Sequence, residues 1–353
     1  MQHGGDLGEA ASRFGGSDSA WLDLSTGINP HAWPVPAALR EEGWTRLPSG
    51  ADLARLIAAA RTAYDVPAKA VIAAGAGTQA IIQQLPCIAP KRPVAIVSPT
   101  YTEHETVWRA HGFQVEQIRS LAEAGDAAGH LVVVNPNNPD GRVTSRADLL
   151  AAAATCRRHG TWLVVDESFA DIEPGCSIVR ECGDLPIVVL RSFGKFYGLA
   201  GLRLGFAIAS PCIAEKIARA LGLWPVSGPA IAVGAAALAD TEWAGETRAR
   251  LAAEAQDLDD VLEVGGLKVV GGTSLFRLVE HPQAGRLHEA LASRRIWTRR
   301  FLWSSSLLRI GLPPDESAAD RLAQAVAACL PEIEQQPGHD QGTRTGWPRY
   351  SAA

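Results

Sequence analysis

No apolar run in this chain approaches the roughly 20 residues needed to cross a bilayer. Residues 1–24 are polar and glycine-rich, without the apolar stretch of a secretory signal. Neither a membrane protein nor an exported one is expected. An excess of positive charge is missing too: Lys+Arg 33 stand against Asp+Glu 38, for a formal net charge of -5. That balance leaves no basic footprint for nucleic acid and no polybasic patch for a membrane surface, so the expected partner is a small molecule. Cysteine is sparse and unpatterned. Cys87, Cys156, Cys176, Cys182, Cys212 and Cys329 form no CxxC pair and lie near no histidine array, so no metal site and no disulfide framework is expected. They read as mostly buried thiols in a reducing cytoplasm.

What is present is length and rhythm. With 353 residues the chain is long enough for two domains, each with its own core. Short apolar runs at 94–97, 131–134, 163–165, 187–190 and 204–209 alternate with helix-like segments and read as buried strands of an α/β sheet. Between two of them, 147–158 is rich in alanine and leucine, with Gly160 just beyond its end, which predicts a crossover helix and parallel neighbours. The later part differs. Residues 229–261 read as one long helix, 274–279, 296–298 and 307–310 as strands, and 317–330 as a final helix, together a smaller α+β lobe. Near the start, Asp6 and Glu9 form a capping-box pattern and Gly15 a possible C-cap, so a short helix is expected there. The expected organisation is a segment 1–45 packing with the small domain, a large domain 46–225, a small domain 226–334, and a disordered tail 335–353 with little to bury.

Several residues carry chemistry when taken together. Lys195 ends Arg-Ser-Phe-Gly-Lys directly after the run 187–190. It therefore lies in a loop at a strand's carboxyl end, where open α/β sheets bind ligands. Gly75, Ala76, Gly77 and Thr78 precede an apolar helical stretch, and their N–H groups with the Thr78 hydroxyl can hold a phosphate. Read alone this is also a plain glycine turn, and it lacks the third glycine and later acidic residue of a dinucleotide fingerprint, which disfavours NAD. Asp166 ends the run 163–165, where a buried carboxylate needs a cationic partner unless it is only a helix cap. Asn138, in the turn Asn-Pro-Asn-Asn-Pro-Asp-Gly, can aim an amide at a ligand oxygen. Tyr101 offers a stacking face, while Ser192 and Arg203 flank Lys195 within reach of a phosphate. An imine lysine, an anion cradle, a carboxylate for a pyridine nitrogen, a donor to a ring hydroxyl and a stacking face are what pyridoxal 5'-phosphate asks of a protein.

The set GAGT, SPTY, NPNNPDG, VVDES, SFGKFYGLAGLRLGF and LLRIGLP, in that order, resembles fold-type I pyridoxal-phosphate enzymes of the aminotransferase superfamily. The resemblance implies a large domain with a mainly parallel seven-stranded sheet, a smaller α+β domain and a homodimer with active sites at the subunit interface. It implies that Lys195 forms the Schiff base, Asp166 meets the pyridine nitrogen, Asn138 meets the ring hydroxyl and Tyr101 stacks. Ala76, Gly77, Thr78, Ser192 and Arg203 would cradle the phosphate, and Arg309 would bind an acidic group of the substrate. One position departs from many such aminotransferases: the residue three after Asp166 is Phe169 where they place a tyrosine.

The amino-terminal His3-Gly-Gly-Asp, Glu9-Ala-Ala and Leu-Asp-Leu-Ser-Thr-Gly-Ile-Asn-Pro, ending at Pro30, resemble the threonine-phosphate decarboxylases of cobalamin synthesis. That family converts L-threonine O-3-phosphate to (R)-1-amino-2-propanol O-2-phosphate and carbon dioxide. The resemblance implies His3, Ser25, Asn29, Arg299 and Arg309 as substrate contacts, with their division between phosphate and carboxylate open. Lys195, freed by the substrate amine, is the candidate proton donor to Cα. The nearest rival is histidinol-phosphate aminotransferase, against which Phe169 and the amino-terminal motif argue. A non-catalytic regulator on the same fold is the rival of another class.

Overall fold

The computed structural model describes residues 4–41, 43–125 and 129–334; His3 and the expected tail at 335–353 lie outside them. Strand β1 (Leu22–Asp23) comes first in the chain. Then follow β2 (Val71–Gly75), β3 (Val94–Val97), β4 (Val115–Ile118), β5 (His130–Val134), β6 (Leu163–Asp166), β7 (Ile187–Ser192) and β8 (Gly205–Ala209). The last five are β9 (Lys268–Thr273), β10 (Phe276–Glu280), β11 (Ile296–Trp297), β12 (Arg299–Phe301) and β13 (Ser304–Gly311).

Among the described residues, β2 to β8 form a seven-stranded sheet in the order β2-β8-β7-β6-β5-β3-β4. Strands β3 to β7 pair in parallel, and β8 runs antiparallel to both its neighbours. The protein is α/β. Strands β5, β6, β7 and β8 are buried at every position, which is why they read as unbroken apolar runs: helices cover both faces of a parallel sheet. Two strands escape such a reading. Strand β2 is Val-Ile-Ala-Ala-Gly, with only small residues at its end, and the edge strand β4 exposes Glu116 and Gln117.

Helix Arg146–His159 forms where expected, since Ser145 accepts a hydrogen bond from the Asp148 N–H and Gly160 ends it in the left-handed region at φ 65. The long helix expected at 229–261 is instead two, Gly228–Ala239 and Thr241–Val264. Asp240 makes the break: its Oδ1 accepts from the Trp243 N–H at 3.1 Å and its Oδ2 from Trp33 Nε1 at 3.0 Å. A side chain that caps the second helix competes with continuing the first.

The chain divides into two compact units, His31–Ala249 and the remainder. The boundaries thus fall at 30/31 and 249/250, where the sequence suggested 45/46 and 225/226. Residues after Pro30 join the larger unit because Gly43 lies backbone to backbone with Gly228; a Cβ on Gly43 would come within 2.7 Å of the Gly228 carbonyl carbon. The core of this unit packs Ile81, Leu85, Ile96, Trp108, Val132, Val164 and Val188 around the sheet. In the other unit β12, β13, β10 and β9 form an antiparallel sheet, and β1 pairs in parallel with β11. Its helix Leu7–Phe14 is capped by Asp6, which accepts from the Glu9 N–H, and ends at Gly15. Phe14, Trp21 and Trp297 meet edge to face there.

All six cysteines are unbonded. Cys156, Cys182 and Cys329 are buried, but Cys87 and Cys212 are exposed and Cys176 is half-buried, so "mostly buried" holds for only half of them: both exposed thiols sit on amphipathic helices whose outer faces meet water.

Candidate active site

The parallel strands all present their carboxyl ends at one edge of the seven-stranded sheet, and Gly205, at the start of the reversed β8, pairs with both Gly75 and Ser192. That edge collects the residues of the larger unit that the sequence singled out.

Gly77 sits at φ 82 and is the N-cap of helix Thr78–Ile88, whose first turn has no side-chain cap. An uncapped first turn leaves N–H groups for an anion. A Cβ on Gly77 would fall 2.9 Å from Arg203 Nη2, and one on Gly205 would fall 2.4 Å from the Thr78 nitrogen. The cradle is therefore built by two glycines that let the Thr78 turn, β8 and the Arg203 guanidinium approach. Arg203 itself adopts φ 53, a left-handed conformation that costs a non-glycine residue energy. Ala76 is exposed and Ser192 is buried beside Gly205.

Asp166 is buried at the end of β6. Its Oδ2 lies 2.9 Å from His104 Nε2, and its Oδ1 accepts from the Ser168 N–H at 3.0 Å and the Ser168 hydroxyl at 2.5 Å. Burial works to raise its pKa, but the hydrogen bond and charge of His104 and the two Ser168 donors prevail and hold it below the usual carboxylate value. The group is an anion held in the dry interior by these three hydrogen bonds. His104 and Ser168 were not found from sequence. A histidine three residues after Tyr101, on the first turn of helix Glu103–Ala110, was the available signal.

The loops bearing Tyr101 and Asn138 are tied to one another. Buried Asn137 donates from Nδ2 to the Pro99 carbonyl at 3.0 Å and to Asp140 Oδ1 at 2.7 Å, and its Oδ1 accepts from Thr100 at 2.6 Å. This fixes the turn that carries Asn138. The Tyr101 hydroxyl donates to Gln79 Oε1 at 3.1 Å, and Gln79 donates to Glu103 at 2.9 Å. Tyr101 is thereby linked to the helix of the cradle.

Lys195 lies in the single turn Phe193–Phe196 that follows β7. Its Nζ is 5.9 Å from the centre of the Phe169 ring. Around it Phe193 stacks on Tyr197 at 4.4 Å and Tyr197 on Trp243 at 5.6 Å, while the Trp33 N–H donates to the Tyr197 carbonyl at 2.9 Å. The lysine turn is gripped by aromatic rings on both flanks.

In the other unit Ser25, Arg299 and Arg309 come together. Arg309 is buried and donates from Nη2 to the Ser25 carbonyl at 2.7 Å, and it stands opposite Arg299 in the β12–β13 ladder. Cross-strand partners share a face. Burial first, then the charge of Arg299, push the Arg309 pKa down to about 9, with Asp23 opposing. Two like charges on one face, one of them buried, form a pair that an anion would stabilise. The Ser25 hydroxyl is already engaged, donating to Asp23 at 2.6 Å and accepting from the Gly5 N–H at 2.7 Å. Asn29 is buried in the same unit.

The donor set fits pyridoxal phosphate: a glycine cradle that a Cβ would fill, a buried carboxylate held as an anion and a half-buried lysine at the same sheet edge. The family described as aminotransferase class I and II matches residues 48–326, and the chain belongs to that family, whose cofactor is pyridoxal 5'-phosphate. Within it the chain is similar to threonine-phosphate decarboxylases. It is 43% identical to that of Sinorhizobium sp over 92% of this chain and 97% of the relative, and 43% identical to that of Pseudomonas aeruginosa over 96% and 100%. The fold matches the histidinol-phosphate aminotransferase of Sinorhizobium meliloti solved in complex with pyridoxal-5'-phosphate. The TM-score is 0.80 at 19% identity, covering 92% of this chain and 94% of that one.

Proposed function

We propose that this chain is a pyridoxal-phosphate-dependent decarboxylase that converts L-threonine O-3-phosphate to (R)-1-amino-2-propanol O-2-phosphate and carbon dioxide in cobalamin synthesis. Its likeness to the named decarboxylases along nearly their whole length carries this reading. The residues present give it a chemical basis.

When bound, the cofactor supplies a conjugated cationic ring into which the electrons of the breaking Cα–carboxylate bond can flow. Asp166, kept anionic by His104 and Ser168, would hold a proton on the pyridine nitrogen. Thr78, Gly77, Ser192 and Arg203 would anchor the phosphate, Asn138 would donate to the ring oxygen and Tyr101 would cover a face. Lys195 would hold the cofactor and, once it had taken a proton from the incoming substrate ammonium, would be the group able to deliver one proton to Cα in place of the departing carbon dioxide. Phe169 beside it offers no hydroxyl to compete for that proton. Arg299 and Arg309 supply the charge for substrate phosphate and carboxylate, with Ser25, Asn29 and His3 as further contacts.

The test is incubation of cofactor-loaded protein with L-threonine O-3-phosphate in the absence of any keto acid, following carbon dioxide and amine by mass spectrometry. Equimolar release is expected. Turnover only after a keto acid is added, with histidinol phosphate as donor, would replace this reading with an aminotransferase.

We also propose a homodimer in the cytoplasm. Among the described residues no helix is long and apolar enough to cross a membrane. Trp44, Leu47, Leu223 and Trp224 of the larger unit expose 55% or more of their surface, the kind of apolar surface that association covers.

A further inference from the structure

A buried ion cluster lies directly behind the cofactor residues and belongs to none of the roles assigned so far. The guanidinium of Arg191 donates to Glu167 Oε2 at 3.0 Å and to Asp171 Oδ1 at 2.5 Å, and lies 4.3 Å over the Tyr64 ring. Arg191, Glu167 and Asp171 are each at most 3% exposed. The cluster holds several chain segments. Glu167 also accepts from the Ser177 hydroxyl at 2.6 Å and the Ile178 N–H at 2.7 Å, and the Asp171 carbonyl accepts from Arg248 Nε at 2.7 Å.

Its position is what gives it meaning. Glu167 follows Asp166 in the chain, Arg191 precedes Ser192, and the Glu167 N–H donates to the Leu190 carbonyl at 2.9 Å, continuing the β6–β7 ladder. Strand alternation sends the side chains of Asp166 and Ser192 to one face and those of Glu167 and Arg191 to the other. Stability alone does not account for such a cluster, because taking three charges out of water costs about as much as their attraction returns. What a planar guanidinium held by two carboxylates does supply is fixed geometry.

We propose that Arg191 is a positioning residue: with Glu167 and Asp171 it clamps the ends of β6 and β7 and so sets the spacing between the Asp166 carboxylate and Lys195. This rests on the assignment of those two residues as cofactor contacts.

The experiment compares wild type, Arg191→Lys and the triple variant Arg191→Met/Glu167→Gln/Asp171→Asn, which removes all three charges and leaves no lone carboxylate. Cofactor affinity of the apoprotein is read by tryptophan quenching, thermal midpoint by circular dichroism, and kcat and KM at saturating cofactor. The triple variant is expected to fold with a midpoint near wild type, yet to bind pyridoxal phosphate about tenfold more weakly and to lose about tenfold or more in kcat at unchanged KM. Arg191→Lys, keeping one ion pair, is expected between the two. A variant that folds and matches wild type in cofactor affinity and kcat overturns the proposal. Should the triple variant fail to fold, Arg191→Lys decides by the same readouts. Wild type that fails to bind the cofactor, or Lys195→Ala that turns over normally, would instead overturn the underlying site assignment.

Discussion

His104 Nε2 and Asp166 Oδ2 lie 2.9 Å apart with both side chains buried, and His104 Nδ1 has no hydrogen-bond partner among the described residues. Because Asp166 is held as an anion, the histidine must donate through Nε2. Removing a hydrogen bond to a buried charge costs about 1.5 to 3 kcal/mol. His104→Asn is therefore expected to lower kcat about tenfold or more and weaken cofactor binding, with little change in KM. Equal decay of KM and kcat would show that His104 serves the substrate instead.

The two cradle glycines differ in what an added methyl meets, and so in what it should damage. At Gly77 it meets the end of the flexible Arg203 side chain, though at a φ of 82 that penalises any L residue. At Gly205 it meets the Thr78 and Gly77 backbone, which has nowhere to go. Gly77→Ala should fold, lose about 1 to 2 kcal/mol from the strained backbone, and weaken cofactor binding by displacing Arg203. Gly205→Ala should lower the thermal midpoint of the apoprotein more than Gly77→Ala does. The reverse order would mean that these contacts do not govern the turn.

Arg299 and Arg309 belong to the unit that does not hold the residues proposed for the cofactor, so their loss should separate substrate from cofactor. Arg309→Met is expected to raise the substrate KM by about tenfold or more while leaving cofactor affinity of the apoprotein unchanged. Inorganic phosphate should compete with substrate in wild type and less well in Arg299→Ala. If neither variant alters phosphate competition, the guanidinium pair binds only the carboxylate.

The residues that the fold gathers at the carboxyl ends of the strands sit in turns with strong local signatures: a glycine pair before a helix, two prolines around Asn138, a lysine after a buried strand. The strands were legible where burial on both faces made them continuously apolar. What stayed hidden was made by tertiary contact. Nothing local marks His104 as the neighbour of Asp166, 62 positions away, or Arg191 as the partner of Glu167 and Asp171. The break at Asp240 was hidden by the helix-forming alanines on one side of it, and β4 by its polar, exposed edge. The domain boundary after Pro30 depended on the contact of Gly43 with Gly228, which leaves no trace in composition.

A fourth consequence concerns stability and acid. His288 is buried with Nδ1 2.9 Å from the Thr298 hydroxyl and its ring against Trp297 at 4.6 Å. Burial first, then the charges of Arg300, Arg13 and Arg299, push its pKa down from 6.5 to about 4. The folded protein therefore resists the proton that the unfolded chain accepts. Stability contributed by neutral His288 is complete above the unfolded value and is lost as pH falls through 6.5 toward 4, by about 2 kcal/mol at pH 5. Urea unfolding at pH 7 and pH 5 should show a smaller loss between the two pH values in His288→Gln than in wild type, even though the variant starts from a lower stability at pH 7. An identical loss in both proteins would show that the acid sensitivity resides in other groups.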